Sequence, residues 1–187
     1  GDAVVAFSYI RHDSLFLRQG EIISNLFEPQ LQIPNSDTID TKRGAKIVPI
    51  VHPYTIIVSQ DCDLKWDYDA RQGGVAEDKL LSHILFCALF TKDEIITRNK
   101  LKSDLFKRVR QNQDERYHHL DEALVGSTQD TLPELIADFK SIFSLQTELV
   151  YWFLSSNQAT RQGALFSPYL EDFMHRLYNF LGRVATP

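Results

Sequence analysis

A chain of 187 residues is long enough for one well-buried core and too short for two ordinary domains to be the default. Its 43% apolar and 24% charged content excludes a disordered chain, and no run approaches the 18 consecutive apolar residues of a membrane-spanning helix. The formal charge of -5 argues against gross attraction to nucleic acid, but the charge is unevenly spread.

The composition predicts a mixed α+β fold in a single domain, residues 1–187, with a β-rich body over about 16–154 and a C-terminal helical extension over about 165–184. The amino-terminal GDAVVAFSYI lacks the basic flank and cleavage pattern of a secretory signal, so a cytoplasmic location without membrane association is expected. Cys62 and Cys87 suggest no disulfide framework, and both are expected to be free thiols.

In chain order, Phe16 to Leu26 reads as a first strand entered through a turn at Gly20. Residues 27–46 then gather Pro29, Pro34, Asn35, Ser36, Asp37 and Gly44, the residues of a long loop. KIVPIVHPYTIIVS is β-branched throughout, and its prolines, which lack amide donors, predict a break between strands at about 46–51 and 54–59. The SQDCD that follows reads as a polar turn, with Cys62 half-buried at the edge of the core. Four aspartates against Lys65 give Asp61 to Asp69 a local charge of -3.

After Gly73 and Gly74, SHILFCALFT is apolar enough for a strand inside a sheet, with a buried helix as the alternative. From Thr97, Leu101, Leu105 and Val109 recur every four positions, predicting a helix to Asn112 with Ser103 as a cap. Its basic residues, Arg98, Lys100, Lys102, Lys107, Arg108 and Arg110 against Asp104, give a local charge of +5. ERYHHLDEAL reads as a short strand and turn. The aromatic run to Leu154 predicts a hairpin turning at Ser144 to Thr147. Ser167 as N-cap and Pro168 at the first helical position open a last helix whose Tyr169, Leu170, Phe173, Leu177, Phe180, Leu181 and Val184 form one apolar face.

Several residues could carry chemistry. Cys62 is a nucleophile candidate, with His118 or His119 as base and Asp121 or Glu122 orienting the imidazole. Asp61 and Asp63 oppose this role, because adjacent negative charge disfavours the thiolate. The same two aspartates offer hard oxygen ligands to a divalent cation, the one cofactor considered; no organic cofactor is expected. His118 and His119 are adjacent on a predicted strand and should point to opposite faces, one exposed and one satisfied at the core edge. His52, before Pro53, reads as structural, with catalysis as the alternative. Lys107, Arg108 and Arg110 could contact the phosphates of a nucleic acid.

RQGEIISNL at 18–26, followed after the long loop by HPYTIIVSQD at 52–61, resembles the opening strands of the MazF/PemK/CcdB-like barrels. The resemblance implies a partly open SH3-like β-barrel, with a strongly twisted mixed sheet as the alternative; the basic middle helix and the C-terminal amphipathic helix read from the residues have no clear place in that family's pattern. The resemblance also implies the activity of those toxins, many of which are homodimeric ribonucleases that cleave single-stranded RNA. The family's Arg-Pro is His52-Pro53 here, so its catalytic arginine has no counterpart.

Three functions follow in order of expectation. The first is a binding or interaction protein, meeting a protein or RNA partner through the basic helix, or a second copy of itself through the aromatic C-terminal helix. The second is a toxin-like endoribonuclease with His52, His118 and His119 as acid–base candidates. The third is a metal-assisted hydrolase using Asp61 and Asp63.

Overall fold

The apolar run at 83–90 forms an interior strand, β4 (His83–Phe90), of a nine-stranded sheet. Ile84 and Phe86 enter one hydrophobic cluster, whereas Cys87 and Leu89 enter another on the opposite face, which explains the continuous apolar reading. The computed structural model describes residues 7–33, 44–74, 77–127 and 129–184. Residues 34–43 of the expected long loop lie outside these.

The strands are β1 (Phe7–Ile10), β2 (Glu21–Gln32), β3 (Lys46–Ile57), β4, β5 (Tyr117–Leu120), β6 (Ala123–Val125), β7 (Thr131–Leu132), β8 (Leu135–Gln146) and β9 (Thr160–Leu165). Five helices accompany them: α1 (Asp61–Gly73), α2 (Lys92–Asn99), α3 (Ser103–Arg110), α4 (Thr147–Ser155) and α5 (Tyr169–Leu181). The fold is therefore mixed α+β. The sheet order is β5-β8-β4-β3-β2-β9-β1-β6-β7, antiparallel except where β1 meets β6.

This order forces the sheet to curl. β5 is its first strand and β6 its eighth, yet only Asp121 and Glu122 separate Leu120 from Ala123. A flat sheet would hold those strands about 33 Å apart, at about 4.8 Å per neighbour. The chain between them reaches at most about 11 Å. The two ends of the sheet must therefore approach each other, and Leu120 and Leu135 from one end share a cluster with Tyr9, Ala123 and Val125 from the other. That shared face is the concave one. Phe173, Met174, Leu177 and Phe180 of α5 fill it, so the last helix belongs to the core and is not an appendage. Leu64 of α1 and Val150 and Phe153 of α4 cover the opposite face, while α2 and α3 pack Ile95, Phe106 and Val109 against Tyr117 and Ile136.

Several local expectations are corrected. The strand expected over Phe16–Leu26 is β2 and begins at Glu21, because residues 11–20 form a loop held by side chains: Arg161 forks onto Glu21 and also donates to the carbonyls of Ser14 and Phe16. β3 runs unbroken through Pro49 and Pro53. Pro49 faces Pro29 across the ribbon, a pairing that the antiparallel ladder allows only where neither amide is needed. β3 contacts β4 only through Tyr54–Ile57, and β2 contacts β9 only through Glu21–Ser24, so the rest of both strands projects as a two-stranded ribbon.

SQDCD is not a turn but the entry to α1, with Gln60 as N-cap and Asp61 and Asp63 in the first turn. Cys62 is exposed there, while Cys87 is buried, and both are free. The basic helix is two helices; Lys102, not Ser103, occupies the N-cap position of the second, and its side chain makes no cap hydrogen bond. The hairpin expected at Ser144–Thr147 is instead the junction of β8 and α4. Pro168 is the N-cap of α5, one residue before its first turn. Among the described residues no helix is long and apolar enough to cross a membrane.

Candidate functional site

Where the sheet's two ends approach, a cavity of about 220 Å³ opens in the seam. β1 contributes Ser8 and Tyr9 to its wall, β5 contributes His118, His119 and Leu120, and the link contributes Asp121. Asn112, Leu165 of β9, and Tyr169 and Asp172 of α5 complete it. Both histidines are buried, at 5% and 7% exposure, and both line the cavity, contrary to the expectation of one exposed ring. β5 is an edge strand, and the cavity wraps around that edge instead of lying on one face.

The edge itself is closed by a side chain. Asn112, in left-handed backbone just after α3, accepts from the His119 amide at 2.7 Å and donates to the His119 carbonyl at 3.3 Å, standing in for a neighbouring strand. Arg176 of α5 donates at 2.7 Å to the carbonyls of both Asn112 and Tyr117, and also to that of Asp114, which pins this segment to the helix. The His119 ring is bracketed by carboxylates, with Nε2 2.7 Å from Glu134 Oε1 and Nδ1 3.7 Å from Asp121 Oδ1.

His118 is held differently. Its ring meets Phe173 edge to face at 5.2 Å, and its Nδ1 is buried without a partner within the protein. Burial first, then the charge of Arg176 and the neighbouring His119, push its pKa down to about 3. The hydroxyl of Tyr9, a fully buried residue, is likewise unpartnered, and burial followed by the charge of Asp121 pushes its pKa well up. A buried polar group without a partner costs roughly 1–3 kcal/mol, so two on one small cavity call for something in the cavity to bond.

These directions decide what the interior can do. At neutral pH His118 is an uncharged imidazole and far too weak a base for efficient proton transfer, and Tyr9 stays a phenol. Each can still donate or accept one hydrogen bond. The pair is suited to holding a ligand more than to moving protons.

The other predicted residues lie apart from this interior. His52 is 2.6 Å from Glu28 and stacks on Phe143 at 4.2 Å, clamping the ribbon to β8. Cys62 has Gln60 and Asp63 as its hydrogen-bond neighbours, at 3.6 and 3.9 Å, and not a histidine. Asp61 accepts a forked pair from Arg18 at 2.9 and 3.1 Å and the Gln19 amide at 2.7 Å, a contact that anchors the 11–20 loop. On a helix Asp61 and Asp63, two residues apart, do not face a common point. Among the described residues no three His, Cys, Asp or Glu side chains form a metal-holding group.

Lys107, Arg108 and Arg110 are exposed on α3. Arg108 reaches the Gln113 carbonyl at 3.5 Å. Arg110 lies 3.5 Å from Glu134 Oε1, the oxygen that also holds His119, so one basic-helix residue does join the histidines. Sequence reasoning found His118, His119 and Asp121 but not Tyr9, Tyr169 or Asp172, which come from distant segments with no local chemical signature. No protein-family model matches the chain, and no curated protein matches it.

Proposed function

We propose that this chain is a binding protein whose seam cavity receives a small polar ligand. The observation that carries the reading is the pair of buried, unpartnered polar atoms, Tyr9 Oη and His118 Nδ1, in two residues that line one cavity. Tyr9→Phe removes one of them while keeping the ring. In the free protein it should be neutral or stabilising by about 1 kcal/mol, because an unpaired hydroxyl is lost. It should weaken any ligand that raises the melting temperature in a screen of small polar compounds. A screen without hits, together with a Tyr9→Phe protein less stable than the parent, would sink the proposal.

A second reading draws on the shared Glu134 contact of Arg110 and His119, which places a phosphate-seeking cation beside a histidine. In that reading the chain is a toxin-like endoribonuclease on a partly open SH3-like barrel, with the curl of the sheet in its favour. Incubation with labelled single-stranded RNA tests it: His119→Ala should abolish cleavage. EDTA-sensitive cleavage would favour the Asp61 and Asp63 alternative, and no cleavage in either condition removes both. Self-association through the exposed Tyr178 and Leu181 of α5 and Val184 just beyond it belongs with either reading and is measured by light scattering.

A further inference from the structure

The proposed ligand site has a charge preference written into its wall, and the inference here rests on that reading of the cavity. Two of its residues carry full negative charge: Asp121, with 87% of its side chain exposed, and the exposed Asp172. They mark the mouth. No Lys or Arg is among the described residues that line the cavity. The interior supplies three rings, from Tyr9, Tyr169 and His118, and the two buried polar atoms.

Two features nearby would favour an anion: one is offset at the mouth, and the other does not line the cavity. The amino terminus of α5 presents roughly half a positive charge, but its first turn carries Glu171 and Asp172, and Asp172 lines the cavity. Arg176 stands behind His118 with its two terminal nitrogens bonded to the carbonyls of Asn112, Asp114 and Tyr117 and its Nε buried without a partner. Its charge helps keep His118 neutral and equally opposes a cation at the inner end, so the cationic head belongs at the mouth, beside the two aspartates. Size narrows the choice. A volume of about 220 Å³ equals about seven water molecules at roughly 30 Å³ each.

We infer that the seam cavity binds a small organic cation, its ammonium or guanidinium head paired with Asp121 and Asp172 and its body against Tyr169. Aromatic faces and carboxylates together suit such a group, the first through the ring quadrupole and the second through charge. Hydrogen bonds to Tyr9 Oη and His118 Nδ1 then select ligands with a second polar group at the inner end.

Calorimetric titration with matched probes tests this: putrescine and agmatine as cations, 1,4-butanediol as the neutral isostere, and succinate as the anion. Nα-acetyl-lysine amide, a cation presented on a backbone, separates a free amine from a lysine side chain of a partner. At least one cation should bind tenfold or more tighter than butanediol and succinate. Asp121→Asn and Asp172→Asn, both at exposed positions, should each weaken it by about tenfold. Tyr9→Phe should weaken it as well. If butanediol or succinate binds as tightly as the cations and is weakened by Tyr9→Phe, the binding-site reading stands and the charge preference is overturned. If none of the probes binds, the cation assignment falls, and the broader compound screen decides the site by itself.

Discussion

At the scale of single residues, His118 has the most measurable consequence. Its folded pKa, pushed down to about 3 by burial and by Arg176 and His119, lies below the ordinary value of about 6.5. The folded protein therefore refuses a proton that the unfolded chain accepts. Stability is complete above the unfolded value and is lost as pH falls below about 6.5, until the folded value is reached. At about 1.4 kcal/mol per unit, the cost at pH 4.5 is on the order of 2–3 kcal/mol. Denaturant melts of His118→Phe should show a stability difference between pH 7 and 4.5 smaller than the parent's by that amount. An equal loss in both proteins would mean that His118 takes up its proton when folded. The two histidines were legible in the sequence as a pair. Their shared environment was not, since it depends on Tyr9 and Asp172, residues with no signal of their own at more than fifty positions' distance.

Among the elements, legibility followed apolar pattern. β4 could be read because a strand buried on both faces has no polar alternation to confuse it. α1 could not, because only Leu64, Asp67 and Ala70 of its thirteen residues are buried. Polar contacts hold it instead: Asp67 accepts from Arg71 at 2.9 Å and from the Leu81 amide at 2.7 Å. α4 was misread because Val150, Tyr151, Trp152 and Phe153 favour strands, and packing against the sheet overrides that preference. β9 depends on a backbone that no periodicity reveals. Gly163 has φ of +151°, and a Cβ there would stand 2.7 Å from Val125 Cγ1 and 3.3 Å from the Ile10 carbonyl. Gly163→Ala should therefore destabilise the protein by more than about 1 kcal/mol in chemical denaturation. An unchanged midpoint would show that β1 and β6 can yield at this position.

For the whole molecule, the curled sheet and the projecting ribbon should differ in local stability. β4 is buried between two strands and two hydrophobic clusters, while the ribbon beyond Leu26 and Pro53 has one pairing and carries Leu31 and Ile47 at 74% and 72% exposure. Amide hydrogen exchange should be slowest in β4, near the rate set by global unfolding, and much faster at 28–32 and 46–50. Comparable protection in both regions would mean that the ribbon is covered in solution. The cause of the curl lies in topology, in the two residues that carry the chain from the first strand of the sheet to the eighth.

Those two residues, Asp121 and Glu122, act as a tether of fixed length between two walls. Shortening such a tether would draw the walls together, and lengthening it would let them part, without any change to the strands themselves. The aperture of the cavity is in this sense a property of chain length, which insertion or deletion at a single surface position can tune. Relatives of this chain with one residue more or fewer at the tether would then be expected to admit larger or smaller guests on the same scaffold.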